Sequence, residues 1–178
     1  STGQLHGLNA SGRAPYAATI EFFKKQAMDF IPDRGPLAWS VPGCVDGWES
    51  LRRRFGHLTL DQILSPAVGY AMDGFPVSDI IARDWASAES LLSNWTGSGD
   101  VYLPNGHAPH PGGVFKNPDL GNTYLQVADQ GRDAFYLGDI AEKIVACSEE
   151  TGGLLTASDL QDHAATWDTP MSTCYRGY

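Results

Sequence analysis

Residues 41–60 read Val41-Pro42-Gly43-Cys44-Val45-Asp46-Gly47-Trp48-Glu49-Ser50-Leu51-Arg52-Arg53-Arg54-Phe55-Gly56-His57-Leu58-Thr59-Leu60, and 61–77 continue Asp61-Gln62-Ile63-Leu64-Ser65-Pro66-Ala67-Val68-Gly69-Tyr70-Ala71-Met72-Asp73-Gly74-Phe75-Pro76-Val77. Behind the Pro42-Gly43 turn, Trp48, Leu51 and Phe55 recur at helical spacing, and Gly56 stands where a helix stops. A second helix is expected behind Thr59, whose hydroxyl can accept a free N–H of the first turn. Its apolar positions are Leu60, Ile63, Leu64, Ala67, Val68 and Ala71, and Asp73-Gly74 closes it. Joined at Gly56-His57, the two form a helical hairpin on this reading. By periodicity alone the hairpin is a packing module without chemistry.

Working outward, residues 4–10 suit an edge strand, and Ser11-Gly12-Arg13-Ala14-Pro15 makes a turn into a helix over 16–30. That helix would bury Ala17, Ile20, Phe23, Ala27 and Phe30. Trp39 is expected inward. Downstream, Ser78 caps a long helix through Leu92, ended by Thr96-Gly97-Ser98-Gly99. Residues 102–118 carry too many prolines and glycines for regular structure. Helices led by Asp119 and Asp139, short helical turns at 132–138 and 156–160, and strand material from 164 onward complete the chain. The fold class predicted is mainly α, six to seven helices with strands only at the two ends. The 178 residues suit a single unit.

Hydrophobic residues make up 42% and charged residues 19%, as in an ordinary globular protein, and no run of 18 apolar residues is present, so a soluble chain without membrane partners is expected. A net charge of −9 argues against a nucleic-acid partner, because phosphate binding needs clustered cations. The one basic run, Arg52-Arg53-Arg54, lies at a helix C-terminus, where cations favour the helix dipole. Cys44, Cys147 and Cys174 match no zinc spacing and are expected as reduced, buried thiols. His107 and His110 lack further ligands near them, and His57 is expected in a solvated turn; no metal or cofactor is called for.

Nucleophile chemistry needs a Ser, Thr or Cys beside an oriented base, and no local motif supplies one, so no catalytic residue is assigned. Paired-carboxylate chemistry has no support either. The turn around Arg13 differs: a guanidinium at a Gly-containing turn ahead of a helix N-terminus suits a carboxylate ligand. Local bridging by Arg13 is the competing reading.

Several ordered motifs resemble the gamma-glutamyltransferase family. Residues 41–77 hold its Pro-Gly-x-Val-x-Gly turn, a helix ending in Phe-Gly, and a following helix closed by Ala-x-x-Gly-Phe-x-Val. Arg-Ala-Pro at 13–15, Tyr-Leu-Pro-Asn-Gly at 102–106, Gly-Arg-Asp-Ala-Phe-Tyr at 131–136, Gly-Gly-Leu-Leu-Thr at 152–156 and Tyr-Arg-Gly-Tyr at 175–178 follow suit. The resemblance implies part of an αββα N-terminal nucleophile hydrolase: a self-cleaving precursor whose small subunit begins with a catalytic Thr. The chain would be an incomplete large-subunit segment, inert alone, needing the remainder of the large subunit and the small subunit. The donor implied is a small-molecule gamma-glutamyl amide of the glutathione type, with water or an amino acid as acceptor. Ser1 is rejected as a nucleophile.

One departure from the family pattern bears on the substrate. Familiar members read Arg-Glu-x-Ala-Pro, their Arg gripping the donor α-carboxylate, whereas this chain reads Ser11-Gly12-Arg13-Ala14-Pro15. Arg13 is carried forward as a substrate contact, with Ser11 and Asn9 as neighbours. The alternatives are a cephalosporin-acylase-like amidohydrolase with another donor, and a non-catalytic helical interaction domain. The isolated segment is expected to self-associate, and compartment, cytoplasmic or periplasmic, is not assigned.

Overall fold

The computed structural model describes residues 3–177, apart from the side chain of Thr96; Ser1, the Thr2 beside it and the terminal Tyr178 of the Tyr-Arg-Gly-Tyr motif lie outside the described residues. The helices are α1 (Ile20–Lys25), α2 (Cys44–Phe55), α3 (Leu60–Asp73), α4 (Asp79–Ser87), α5 (Glu89–Ser93), α6 (Thr96–Tyr102), α7 (Pro118–Gln130), α8 (Arg132–Tyr136), α9 (Asp139–Glu150) and α10 (Ala157–Gln161). The strands are β1 (Gly7–Asn9), β2 (Phe75–Pro76), β3 (Val114–Phe115) and β4 (Thr166–Asp168). The chain is therefore mainly helical. It divides into two compact units, one holding the residues up to Leu60 together with those from Asp129 onward, the other Asp61–Ala128.

In the first unit β1 pairs antiparallel with β4, Gly7 opposite Asp168 and Asn9 opposite Thr166, so both terminal strand expectations hold. The core here includes Val41, Val45, Tyr136, Ile140, Leu155 and Leu160. Helix α2 has the bounds expected from its turn and its Gly56 stop, but its faces are reversed. Val45, Asp46, Gly47 and Glu49 are buried, while Trp48, Leu51 and Phe55 are exposed. The physical reason is that both carboxylates are paired. Glu49 accepts from Arg52 Nε at 2.7 Å and Arg53 Nε at 2.5 Å, and Asp46 pairs with Arg132. The basic run thus serves Glu49 as well as the helix end. Arg54 instead lies over the Trp167 ring at 4.2 Å, with Phe55 edge-on to the same ring.

The helix expected over 16–30 shrinks to the six residues of α1. Thr19, not the region of Pro15, is its cap, its hydroxyl accepting from the Phe22 N–H at 3.1 Å. Ala27, at φ +53°, turns the chain out of the helix. Of the apolar set only Phe23 is buried; Ile20 and Phe30 are 69% and 82% exposed. Trp39 is half-buried. The expected Thr156 helix forms with a complete capping box, Asp159 answering Thr156.

The second unit packs Val77, Ala82 and Phe115, with Trp85 and Val101 against them. Helix α3 matches its expected bounds, burying Leu64 and Ala71 and leaving Ile63 exposed. Because the chain divides within the first turn of α3, the two helices read as one hairpin belong to different units. The long helix behind Ser78 is broken at Ala88 and again near Trp95, and the Thr-Gly-Ser-Gly stretch expected to stop it begins α6 instead. The Pro- and Gly-rich stretch is ordered: β3 pairs with β2, Phe115 opposite Phe75, so strands are not confined to the chain ends. Asn117, rather than Asp119, caps α7, accepting from the Leu120 N–H at 3.0 Å.

Candidate functional site

The turn carrying Asn9, Ser11 and Arg13 is wedged against the start of α2 by glycines. A Cβ on Gly12 would overlap the Val41 carbonyl oxygen, one on Gly43 would overlap the Ala10 carbonyl oxygen, and one on Gly47 would fall 2.6 Å from Ala10 Cβ. Such close backbone approach admits no side chain. The Val41 N–H donates to the Arg13 carbonyl at 3.0 Å, and the Ser11 N–H donates to Asn9 Oδ1 at 2.9 Å. Asn9 and Ser11 are both exposed on this turn.

Behind the turn, buried Asp159 accepts from three donors: the Tyr16 N–H at 2.7 Å, the Thr156 N–H at 2.8 Å and the Thr156 hydroxyl at 2.6 Å. The Tyr16 hydroxyl donates to Asp162 at 3.1 Å, which raises the Tyr16 phenol from its ordinary range. Buried Asp46 accepts from Arg132 Nε and from the Ala165 N–H at 2.5 Å, while Arg132 Nη2 donates to the His163 carbonyl. The Tyr136 hydroxyl donates to the Pro42 carbonyl at 2.7 Å and accepts from the Asp46 N–H at 3.2 Å. Burial pushes this phenol up to about 12. The guanidinium of Arg132 lies 4.6 Å above the Tyr136 ring, and His163 stacks on that ring at 5.4 Å.

Arg13, Tyr16, Val41, Asp159, Asp162 and His163 line a small cavity of about 50 Å³. Arg13 is exposed at it, so a solvated cation stands on a turn whose backbone is pinned from three sides. Such a group can pair with an anionic ligand. Of the three expected site residues, Arg13 lines the cavity, and Asn9 and Ser11 share its turn without lining it. Sequence reasoning missed Asp46, Arg132, Tyr136 and His163. Only Asp159 carried a local signal, its three-residue spacing from Thr156.

Other candidates fall away from this cluster. The three cysteines are free but exposed rather than buried, because none sits on an inward helix position. His57 is exposed, as expected of its turn. His107 Nδ1 lies 3.8 Å from Glu89 Oε2, and His110 Nδ1 lies 3.0 Å from the Pro111 carbonyl oxygen; among the described residues no three metal-ligating side chains gather. No helix among them is long and apolar enough to cross a membrane.

The family model for gamma-glutamyltranspeptidase matches residues 1–178. The chain belongs to that family. It is 37% identical over 171 residues to the glutathione hydrolase-like YwrD proenzyme of Bacillus subtilis (strain 168), covering 96% of this chain and 32% of that protein. Among solved structures, the gamma-glutamyltranspeptidase of Helicobacter pylori superposes with a TM-score of 0.93 at 30% identity, over 100% of this chain and 52% of that one. The cephalosporin acylase from Bacillus halodurans superposes with a TM-score of 0.91 at 34% identity, over 99% of this chain and 34% of that one. The chain thus spans about a third of the length of the curated relatives it matches.

Proposed function

We propose that this chain is an incomplete large-subunit segment of an autoprocessing, gamma-glutamyltranspeptidase-family enzyme with the αββα N-terminal nucleophile fold. It supplies helical scaffold and one wall of the acyl pocket. The whole protein cleaves gamma-glutamyl amides of the glutathione type and passes the acyl group to water or an amino acid, using an N-terminal Thr that lies outside this chain. The observation that carries this reading is Arg13, an exposed cation on a glycine-pinned turn and suited to a donor carboxylate, with Asn9 and Ser11 beside it. The glutathione hydrolase-like relative supports the donor class.

Intact mass of the purified full-length protein tests the processing: a second chain beginning with Thr is expected, together with glutamate release from glutathione. A single uncleaved chain that releases none sinks the reading and favours a non-catalytic helical interaction domain. The likeness to a cephalosporin acylase favours one further reading, an amidohydrolase acting on a different acyl donor. Parallel assays with glutathione and a cephalosporin side-chain amide separate the two.

A further inference from the structure

His163 is 3% exposed, and among the described residues neither ring nitrogen makes a hydrogen bond of normal geometry, although the Gly43 backbone lies close enough to Nε2 to favour the charged ring. Its ring is held by shape. One face stacks on Tyr136, and Nε2 lies so close to Gly43 that a Cβ there would sit 2.9 Å away. Gly43 in turn abuts Ala10, which begins the Arg13 turn. His163 and Arg13 line the same cavity.

We propose that His163 is a positioning residue for the Arg13 turn and fills that role only as the neutral imidazole. The proposal rests on the donor-binding reading of Arg13. The charged and titratable groups around the ring come from every packed element: Asp46 on α2, Arg132 and Tyr136 on α8, Arg13 on the turn, and Asp159 and Asp162 at α10. Asp46 is already engaged by Arg132 and the Ala165 N–H, and Asp159 by its three donors. Asp162 is solvent-exposed and accepts from Tyr16. An imidazolium would therefore enter a site with two guanidiniums and no unengaged buried carboxylate. Burial, foremost, holds the ring below its ordinary protonation range, with Asp46 and the Gly43 backbone opposing and Arg132 and Arg13 reinforcing. On protonation the ring must reach water, and the Gly43 and Ala10 backbones that it backs lose their support.

The test uses the full-length protein. The donor KM should rise about tenfold per pH unit below the His163 midpoint, because only the neutral fraction binds well, while kcat is little affected by this step. His163→Phe keeps the stack but cannot protonate, so its KM should stay level over the same range. An acid limb in 1/KM that survives in H163F overturns the proposal. Should H163F fail to fold, NMR on the wild-type protein decides. The backbone amides of Gly12 and Arg13 should shift with the midpoint of the His163 imidazole, and independent midpoints overturn the coupling. If no gamma-glutamyl donor is turned over, the donor reading falls, and the same NMR comparison still decides the coupling.

Discussion

Arg132 on α8 donates through Nε to Asp46 on α2, joining two helices 86 positions apart in sequence through a carboxylate that is 6% exposed. The same guanidinium reaches the His163 carbonyl, so one side chain gathers α2, α8 and the segment after α10. Removing Asp46 leaves that cation without its partner. Asp46→Ala should destabilise the full-length protein by about 3–5 kcal/mol, the usual cost of breaking a buried pair. Asp46→Asn, which keeps an acceptor for the Ala165 N–H, should cost less. Equal losses in urea titrations would discard the charge-pairing account.

The glycine wedge makes a contrasting pair of predictions. Gly12→Ala must displace the Val41 carbonyl and should sharply reduce the yield of folded protein. Gly69→Ala, inside α3 with open space around it, should stabilise by about 0.5–1 kcal/mol. Thermal melts of the two variants check both signs.

For substrate binding, Arg13→Ala in the complete enzyme should raise the donor KM about ten- to a hundredfold, the worth of a charged hydrogen bond, and lower kcat less. Steady-state kinetics that match the wild type would remove Arg13 from the site.

The acid dependence of Glu49 has a definite sign. Arg52, and then Arg53, hold its carboxyl below the ordinary value of 4.5 against the opposing effect of burial. Its stabilising contribution is present above 4.5 and is lost as pH falls through the lowered value. The difference in urea midpoint between wild type and Glu49→Gln should therefore hold steady down to about pH 5 and close below it. Tyr136 works at the other end of the scale. Its neutral phenol contributes fully below pH 10, and that contribution is lost as pH rises toward about 12, an effect absent from Tyr136→Phe.

The isolated 178-residue chain should self-associate, because Trp48, Leu51 and Phe55 form an exposed apolar stripe on α2. Sedimentation velocity over a concentration series reads this directly. A single monomer boundary at every concentration would refute it.

What was legible in the sequence was local. Gly56 and Asp73-Gly74 mark the ends of α2 and α3, Thr156 opens the short helix expected at 156–160, and the β-forming Thr166 and Trp167 mark the C-terminal strand. What was hidden depends on distant partners. The periodicity of Trp48, Leu51 and Phe55 pointed to the wrong face of α2, because only Arg132 makes a buried Asp46 tolerable. The end of α1 was hidden because a left-handed turn at Ala27 lacks the usual glycine. Two-residue strands inside a proline-rich stretch leave no periodic trace, which is why β3 was missed. The buried ring of His163 was invisible for the same reason as Asp46: its neighbours come from the turn, α2 and α8.

The pairing of β1 with β4 also dictates a timetable. Gly7 meets Asp168 only after about 160 further residues have been synthesised, on the order of ten to thirty seconds of translation. Asp61–Ala128 is one continuous stretch and can mature on the ribosome during that wait. Strand β1, with the Arg13 turn behind it, stays without its β4 partner until then.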